Sequence, residues 1–167
     1  MLFRSRALLE AGGRELLMLT ADVGARCLYI SAQNGHLAVV RALLEAGGRE
    51  LPMMTMDDGT SCLYISAANG HLEVMNALLE AGGRELLMLT SDDGASCLWI
   101  SAQEGHLEVV RALLEAGGRE LLMLIADDGS SCLSVARREN QGEVFRVLEV
   151  ACQNTGLSSH EITILKR

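Results

Sequence analysis

Four cysteines, Cys27, Cys62, Cys97 and Cys132, recur every 35 residues, and His36, His71 and His106 each follow one of them nine positions later. Such pairs suggest an imidazole-activated thiolate, a ladder of disulfides, or a metal held by sulfur and nitrogen. The regular spacing argues against all three. Equivalent atoms of stacked units lie roughly 8 to 10 Å apart, the distance between packed helices. A disulfide needs Cα atoms within about 4.4 to 6.8 Å, and zinc holds sulfur at about 2.3 Å. Repeated catalytic pairs with no third orienting group beside them would also make poor active sites. The recurring cysteines are therefore expected to be buried or half-buried small apolar residues near helix starts, and Cys152 a packed or free thiol. The histidines are expected to hold the turn between two helices through a backbone hydrogen bond, while His160 has no evident partner. Because a helix start can lower a thiol pKa, thiol redox or metal activity stands as the weakest of the readings. Gly82-Gly83 follows a helix instead of opening one, unlike a phosphate-cradling loop. Met18, Met53, Met54, Met56, Met88 and Met123 read as core fillers of a type that also suits adaptable binding surfaces.

The elements that position these residues follow from the same period. Gly-His-Leu stands at Gly35, Gly70 and Gly105, 35 residues apart each time. A fixed period of this size marks stacked supersecondary units. Leu63, Ser66 and Ala67 fall at i, i+3 and i+4, one face of a short helix whose small residues allow close approach. Ser61 stands at its N-cap, and Gly70 ends it. A second helix is predicted from about His71 to Ala81, with Leu72, Val74, Met75, Leu78 and Leu79 on a broad apolar face and Gly82-Gly83 as its stop. One such antiparallel pair cannot bury its faces alone, so its stability must come from its neighbours.

Composition narrows the function. Apolar residues make up 49% of the 167 and aromatic residues only 3%, so the core must be built of Leu, Val, Ala and Met. A net charge of −8 argues against a grip on the nucleic-acid backbone, which needs clustered Lys and Arg, and no nucleic acid is expected. No apolar run approaches the ~18 residues of a membrane span, and the amino terminus lacks the pattern of a secretory signal. A soluble, intracellular and monomeric protein, cytoplasmic by these signs and without a cofactor, is the expectation.

The run Asp58-Gly-Thr-Ser-Cys-Leu-Tyr-Ile-Ser-Ala67, followed by Gly70-His-Leu-Glu-Val74 and Ala77-Leu-Leu-Glu-Ala-Gly82, resembles the ankyrin repeat, whose usual core reads G-x-T-P-L-H-x-A-A-x-x-G-H and then V-V-x-x-L-L-x-x-G. The resemblance covers Ala7 to Ala151. It implies an all-α ankyrin-repeat solenoid of stacked antiparallel helix pairs with finger loops. Thr-Pro-Leu-His is replaced by Arg26-Cys-Leu-Tyr29, Ser61-Cys-Leu-Tyr64, Ser96-Cys-Leu-Trp99 and Ser131-Cys-Leu-Ser134. In the family, Thr and His share hydrogen bonds that tie neighbouring repeats. A Tyr hydroxyl is expected to replace that tie, whereas Trp99 and Ser134 are not expected to replace it in the same way. The period exceeds the usual value of about 33, and the added residues fall in Gly-Gly-Arg-Glu-Leu-Leu-Met-Leu-Thr. There Leu86, Leu87 and Leu89 are expected to form an extra helical turn, which Pro52 would open in its own unit.

The array is assigned to residues 1–152. Residues 1–23 form a half-repeat, either a terminal cap, which Phe3 with Arg4 and Arg6 favours, or the edge of a longer array. Full repeats follow at 24–58, 59–93 and 94–128, then a degenerate cap at 129–152, where Asn140 and Gln141 replace Gly and His. Residues 153–167 form a tail, expected to be loose or to lie on the cap as a short strand or helix. By resemblance, partners are bound by the fingers and the ends of the inner helices. The finger positions are Val23, Ala25, Asp57, Asp58, Thr60, Asp92, Asp93, Ala95, Asp127, Asp128 and Ser130. The helix-end positions are Gln33, Asn34, Ala68, Asn69, Gln103, Glu104, Arg138 and Glu139. The Asp pairs form an acidic row, read either as turn chemistry before Gly or as a lure for a basic partner. The function expected is a non-catalytic protein-binding module, with a structural spacer or a piece of a longer array as the alternative.

Overall fold

The computed structural model describes residues 21–166, with the backbone alone for Ala21 to Val23. The half-repeat at 1–23, including Phe3, Arg4 and Arg6, therefore lies almost wholly outside the described residues. Four helix pairs follow one another: α1 (Ala21–Gln33) and α2 (Leu37–Gly47), α3 (Cys62–Ala68) and α4 (Leu72–Leu87), α5 (Cys97–Glu104) and α6 (Leu107–Leu122), α7 (Cys132–Arg138) and α8 (Gly142–Asn154). A last helix, α9 (Ser159–Leu165), closes the array. Inner helices α1, α3, α5 and α7 pack in a row, and α2, α4, α6 and α8 pack behind them. Among the described residues strand pairing is confined to isolated bridges in three fingers, Thr55 with Ser61, Thr90 with Ser96 and Ile125 with Ser131.

Each inner helix starts where a serine can cap it. The Oγ atoms of Ser61, Ser96 and Ser131 accept from the amides of Tyr64, Trp99 and Ser134, each at 3.1 Å. Behind the cap, Leu63, Leu98 and Leu133 are fully buried, each contributing about 1.5–3 kcal/mol of apolar transfer. Ser66 and Ser101 are buried too, and their hydroxyls donate to the carbonyls of Leu63 and Leu98, which leaves no polar atom unmatched between helices.

The Gly-Gly pair ends the second helix by a division of labour. Gly83 and Gly118 take positive φ values of 61° and 53°, which break the helix without a side-chain penalty. Gly82 makes room: a Cβ there would stand 2.6 Å from Leu86 Cβ. One further turn then seats Leu86, Leu87, Leu121 and Leu122, all but fully buried. In the first unit that turn is a 3₁₀ helix, Leu51–Met53, with proline in its first turn, as the missing proline N–H allows.

The repeats are tied by hydrogen bonds that cross between them. His71 Nε2 donates to the Gln33 carbonyl and His106 Nε2 to the Ala68 carbonyl, both at 3.0 Å. Each ring therefore makes a backbone hydrogen bond, and the carbonyl it meets is at the end of the preceding repeat's inner helix. In the last repeat Gln141 Nε2 makes the same bond to the Gln103 carbonyl, again at 3.0 Å. Gly35 and Gly70 sit directly under these rings, where a Cβ would approach His71 to 2.8 Å and His106 to 2.7 Å.

The tail is ordered. Its α9 opens with a capping box between Ser158 and Glu161, and Leu157 and Leu165 are buried. Arg84 pairs with Glu120 of the following repeat, and Arg119, one period later, pairs with Glu161 of α9 at 2.7 Å. The tail thus stands where a next repeat would.

Because Gln141 already does this work, His106→Gln should keep urea-unfolding stability within about 0.5 kcal/mol, whereas His106→Ala should lose about 1 kcal/mol or more, the worth of a hydrogen bond whose acceptor is left unmet.

Candidate functional site

Each finger is a tight turn built around its second aspartate. Asp58 Oδ1 accepts from the Thr60 amide at 3.0 Å and from the Thr60 hydroxyl, and Asp128 Oδ1 does the same for Ser130, its amide at 2.8 Å. Asp93, with Ala95 at the hydroxyl position, accepts from Ser91 Oγ and, at 3.4 Å, from the Ala95 amide. Gly59, Gly94 and Gly129 complete the turns with φ of 75°, 77° and 81°, values that favour glycine. The bonds from Thr60 and Ser130 hold the Asp58 and Asp128 carboxyls below the usual carboxylate range, with Arg138 helping at Asp128. Since the folded value is the lowered one, the stability this lends is present above the ordinary value of 3.8 and is lost as the pH falls below it.

In the second and third fingers the first aspartate serves the stack. The Asp92 amide donates to the Asp58 carbonyl at 3.0 Å, and the Asp127 amide to the Asp93 carbonyl at 2.8 Å. Side chains add a parallel tie: the Thr60 hydroxyl proton goes to Asp58, so the Tyr29 hydroxyl donates to Thr60 Oγ1 at 3.3 Å, and Trp99 Nε1 donates to Ser130 Oγ at 2.9 Å. Trp99 therefore does replace the family's tie, contrary to the expectation, because its ring N–H reaches the finger hydroxyl that a Tyr would meet. Tyr64 faces Ala95, which has no hydroxyl. Burial, with Asp93 nearby, pushes the Tyr64 phenol up to about 12.

The expected surface positions separate into two sets. Asp57, Asp58, Asp92, Asp93, Asp127 and Asp128 are all exposed. Among the described residues none of them is in a salt bridge. By contrast Thr60, Ala95 and Ser130 are buried, at 8%, 1% and 9% exposure. At the helix ends Gln33, Asn34, Asn69, Glu104, Arg138 and Glu139 are exposed, and Ala68 and Gln103 half-buried. Asn34 and Asn69 donate to the Ile30 and Ile65 carbonyls of their own helices. Gln103 bonds Glu104, and Arg138 bonds Glu139.

Val23 and Ala25 are corrected. No finger forms there: both lie inside α1, and Ala25 is buried at 5%. The residues at these positions are the reason. Val23 stands where Asp58, Asp93 and Asp128 brace their turns, Ala25 where Thr60 and Ser130 stand, and Arg26 where Ser61, Ser96 and Ser131 cap. Without the turn carboxylate or the cap hydroxyl, nothing stops the helix, which runs back to Ala21. Cys27 is corrected with them, since it is exposed in mid-helix instead of buried at a helix start.

The remaining thiols are buried. Cys62, Cys97 and Cys132 are pushed up to about 12 by burial, and Cys152 is also raised, by burial first. Cys62 Sγ lies 3.3 Å from the Pro52 carbonyl and Cys97 Sγ 3.7 Å from that of Leu87. This is the reverse of an activated nucleophile. Iodoacetamide at pH 8 should therefore label the native protein at Cys27 alone, and all five thiols after unfolding; the measurement is peptide mass after short exposure.

Among the described residues no helix is long and apolar enough to cross a membrane. No curated protein matches the chain. Family models do: ankyrin repeats in three copies match residues 6–88, and an ankyrin repeat matches residues 93–123. Repeats of this family are generally protein-protein interaction modules and typically non-enzymatic. With helix pairs, fingers and cross-repeat ties in the same register as those matches, the chain belongs to the ankyrin repeat family.

Proposed function

We propose that the protein is a non-catalytic binding module that holds a protein partner on its finger side, and that the partner's contacting surface is basic. The observation that carries this is the row of six exposed aspartates at 57/58, 92/93 and 127/128, which are in no salt bridge among the described residues. The carboxylates of Asp57, Asp92 and Asp127, which brace no turn, remain available to a partner's Lys or Arg, and a fixed single-sign row steers association. Backbone bonds between fingers hold the row at fixed spacing, so little ordering cost remains to be met on binding. The exposed helix ends at Gln33, Asn34, Asn69, Glu104 and Arg138, with half-buried Ala68 and Gln103, extend the proposed surface.

Charge reversal is the test. Asp57, Asp92 and Asp127 can be changed without touching the carboxylates that brace the turns. The triple change of these three to Lys, at matched helical circular dichroism, should weaken binding of a partner by at least about tenfold at low salt, with less difference at high salt. Unchanged affinity at low salt would remove the acidic row from the function and leave the spacer reading.

A further inference from the structure

The missing first finger leaves a groove that no other repeat has reason to form. It measures about 390 Å³ and is lined by Ala25, Arg26, Tyr29 and Ile30 of α1 and by Met54, Thr55, Met56 and Asp57 of the first finger. One wall is therefore the face of α1 that begins at the finger position Ala25, and the other is the outer edge of the finger that follows. Ile30 is 55% exposed there, while of its counterparts Ile65 is half-buried and Ile100 and Val135 are 8% and 0% exposed. The two methionines opposite supply an adaptable apolar wall.

Register adds a polar element. In the other two fingers the amide of the first aspartate donates to the preceding finger, Asp92 to Asp58 and Asp127 to Asp93. The corresponding amide is that of Asp57. Its partner would be the carbonyl of residue 23, but α1 is helical there. Among the described residues the Asp57 amide has no backbone acceptor. The groove thus joins an apolar floor, an open edge amide, an exposed carboxylate at Asp57 and an exposed guanidinium at Arg26.

We infer that this groove takes an extended peptide segment of the partner in the place of the finger that is missing among the described residues. A backbone carbonyl of the segment accepts from the Asp57 amide, an apolar side chain enters between Ile30, Met54 and Met56, and a Lys or Arg beside it meets the Asp57 carboxylate. Arg26 bars a second cation on the other wall and favours a carbonyl or carboxylate there. Recognition of this kind is strand addition at an open edge, with backbone bonds giving affinity and the side-chain slot giving selectivity. The inference rests on the proposal that a partner is held on the finger side, and names the place and the chemistry within it.

The test uses the full chain, ¹⁵N-labelled, with three blocked octapeptides as probes: a Thr-rich extended sequence with a central Lys-Leu, the same with Glu-Leu, and the same with Lys-Gly. A second protein, Val23→Asp with Ala25→Thr and Arg26→Ser, restores the finger's turn and cap residues and fills the groove with the chain's own backbone. Amide shifts at Ile30 and Asp57 are expected with the Lys-Leu peptide, at about tenfold lower concentration than with either other peptide, and are expected to vanish in the restored-finger variant. Shifts that persist in that variant, or that are confined to Asp92 and Asp127, would overturn the groove while leaving binding along the acidic row intact. No shift with any peptide would overturn the groove as well. The broader proposal fails separately, only when the Asp57, Asp92 and Asp127 reversal leaves partner affinity unchanged.

Discussion

The first three inner helices end in carbonyl groups with no partner in their own helix, and the repeats stack because the next repeat supplies one. Those carbonyls belong to Gln33, Ala68 and Gln103, and the donors are His71, His106 and Gln141. An orphan helix-end carbonyl must be met by something, and meeting it from the neighbouring unit fixes that unit's register. Gly35 and Gly70 leave space for the incoming rings. Apolar stacking then fills the interface, with Leu63, Leu78, Leu98, Leu113, Leu133 and Leu148 fully buried along its length. The order of causes is local cap, then cross-repeat bond, then core.

The fingers repeat the same logic at the other end of the inner helices. One aspartate of each pair braces its own turn, and in the second and third fingers the other passes its amide to the preceding finger. Bland turn chemistry and an outward acidic row are therefore both satisfied by the pair, because the backbone does the tying and the first carboxylate is left to solvent. The cysteines lie beneath this layer. Their 35-residue spacing is the spacing of the stack, and all of them but Cys27 are buried.

Much of this was legible in the sequence because it is set by short-range signals. Ser61, Gly70 and the Gly82-Gly83 pair each act within four residues, and the apolar positions of α4 report one face directly. The extra turn after Gly83 and the role of Pro52 were legible for the same reason. What escaped was set across repeats. The bond of Trp99 spans 31 residues and that of Gln141 spans 38, and a single unit read alone gives no sign of either. Gln141 looked like decay of the motif, although it is a donor of similar reach to the imidazole it replaces. The lost first finger had a signal that a column-by-column comparison exposes: Val23, Ala25 and Arg26 each lack the oxygen that Asp58, Thr60 and Ser61 contribute. The tail's helix had one too, in the Ser158 to Glu161 spacing of a capping box.

Native-state hydrogen exchange at the first aspartate of each pair tests most directly whether repeats are tied by bonds passed from one to the next. The amides of Asp92 and Asp127 should be protected by the Asp58 and Asp93 carbonyls, and that of Asp57 should exchange near the rate of an open chain. Equal rates at the three positions would contradict the account, since the fingers would then be either all tied or all free.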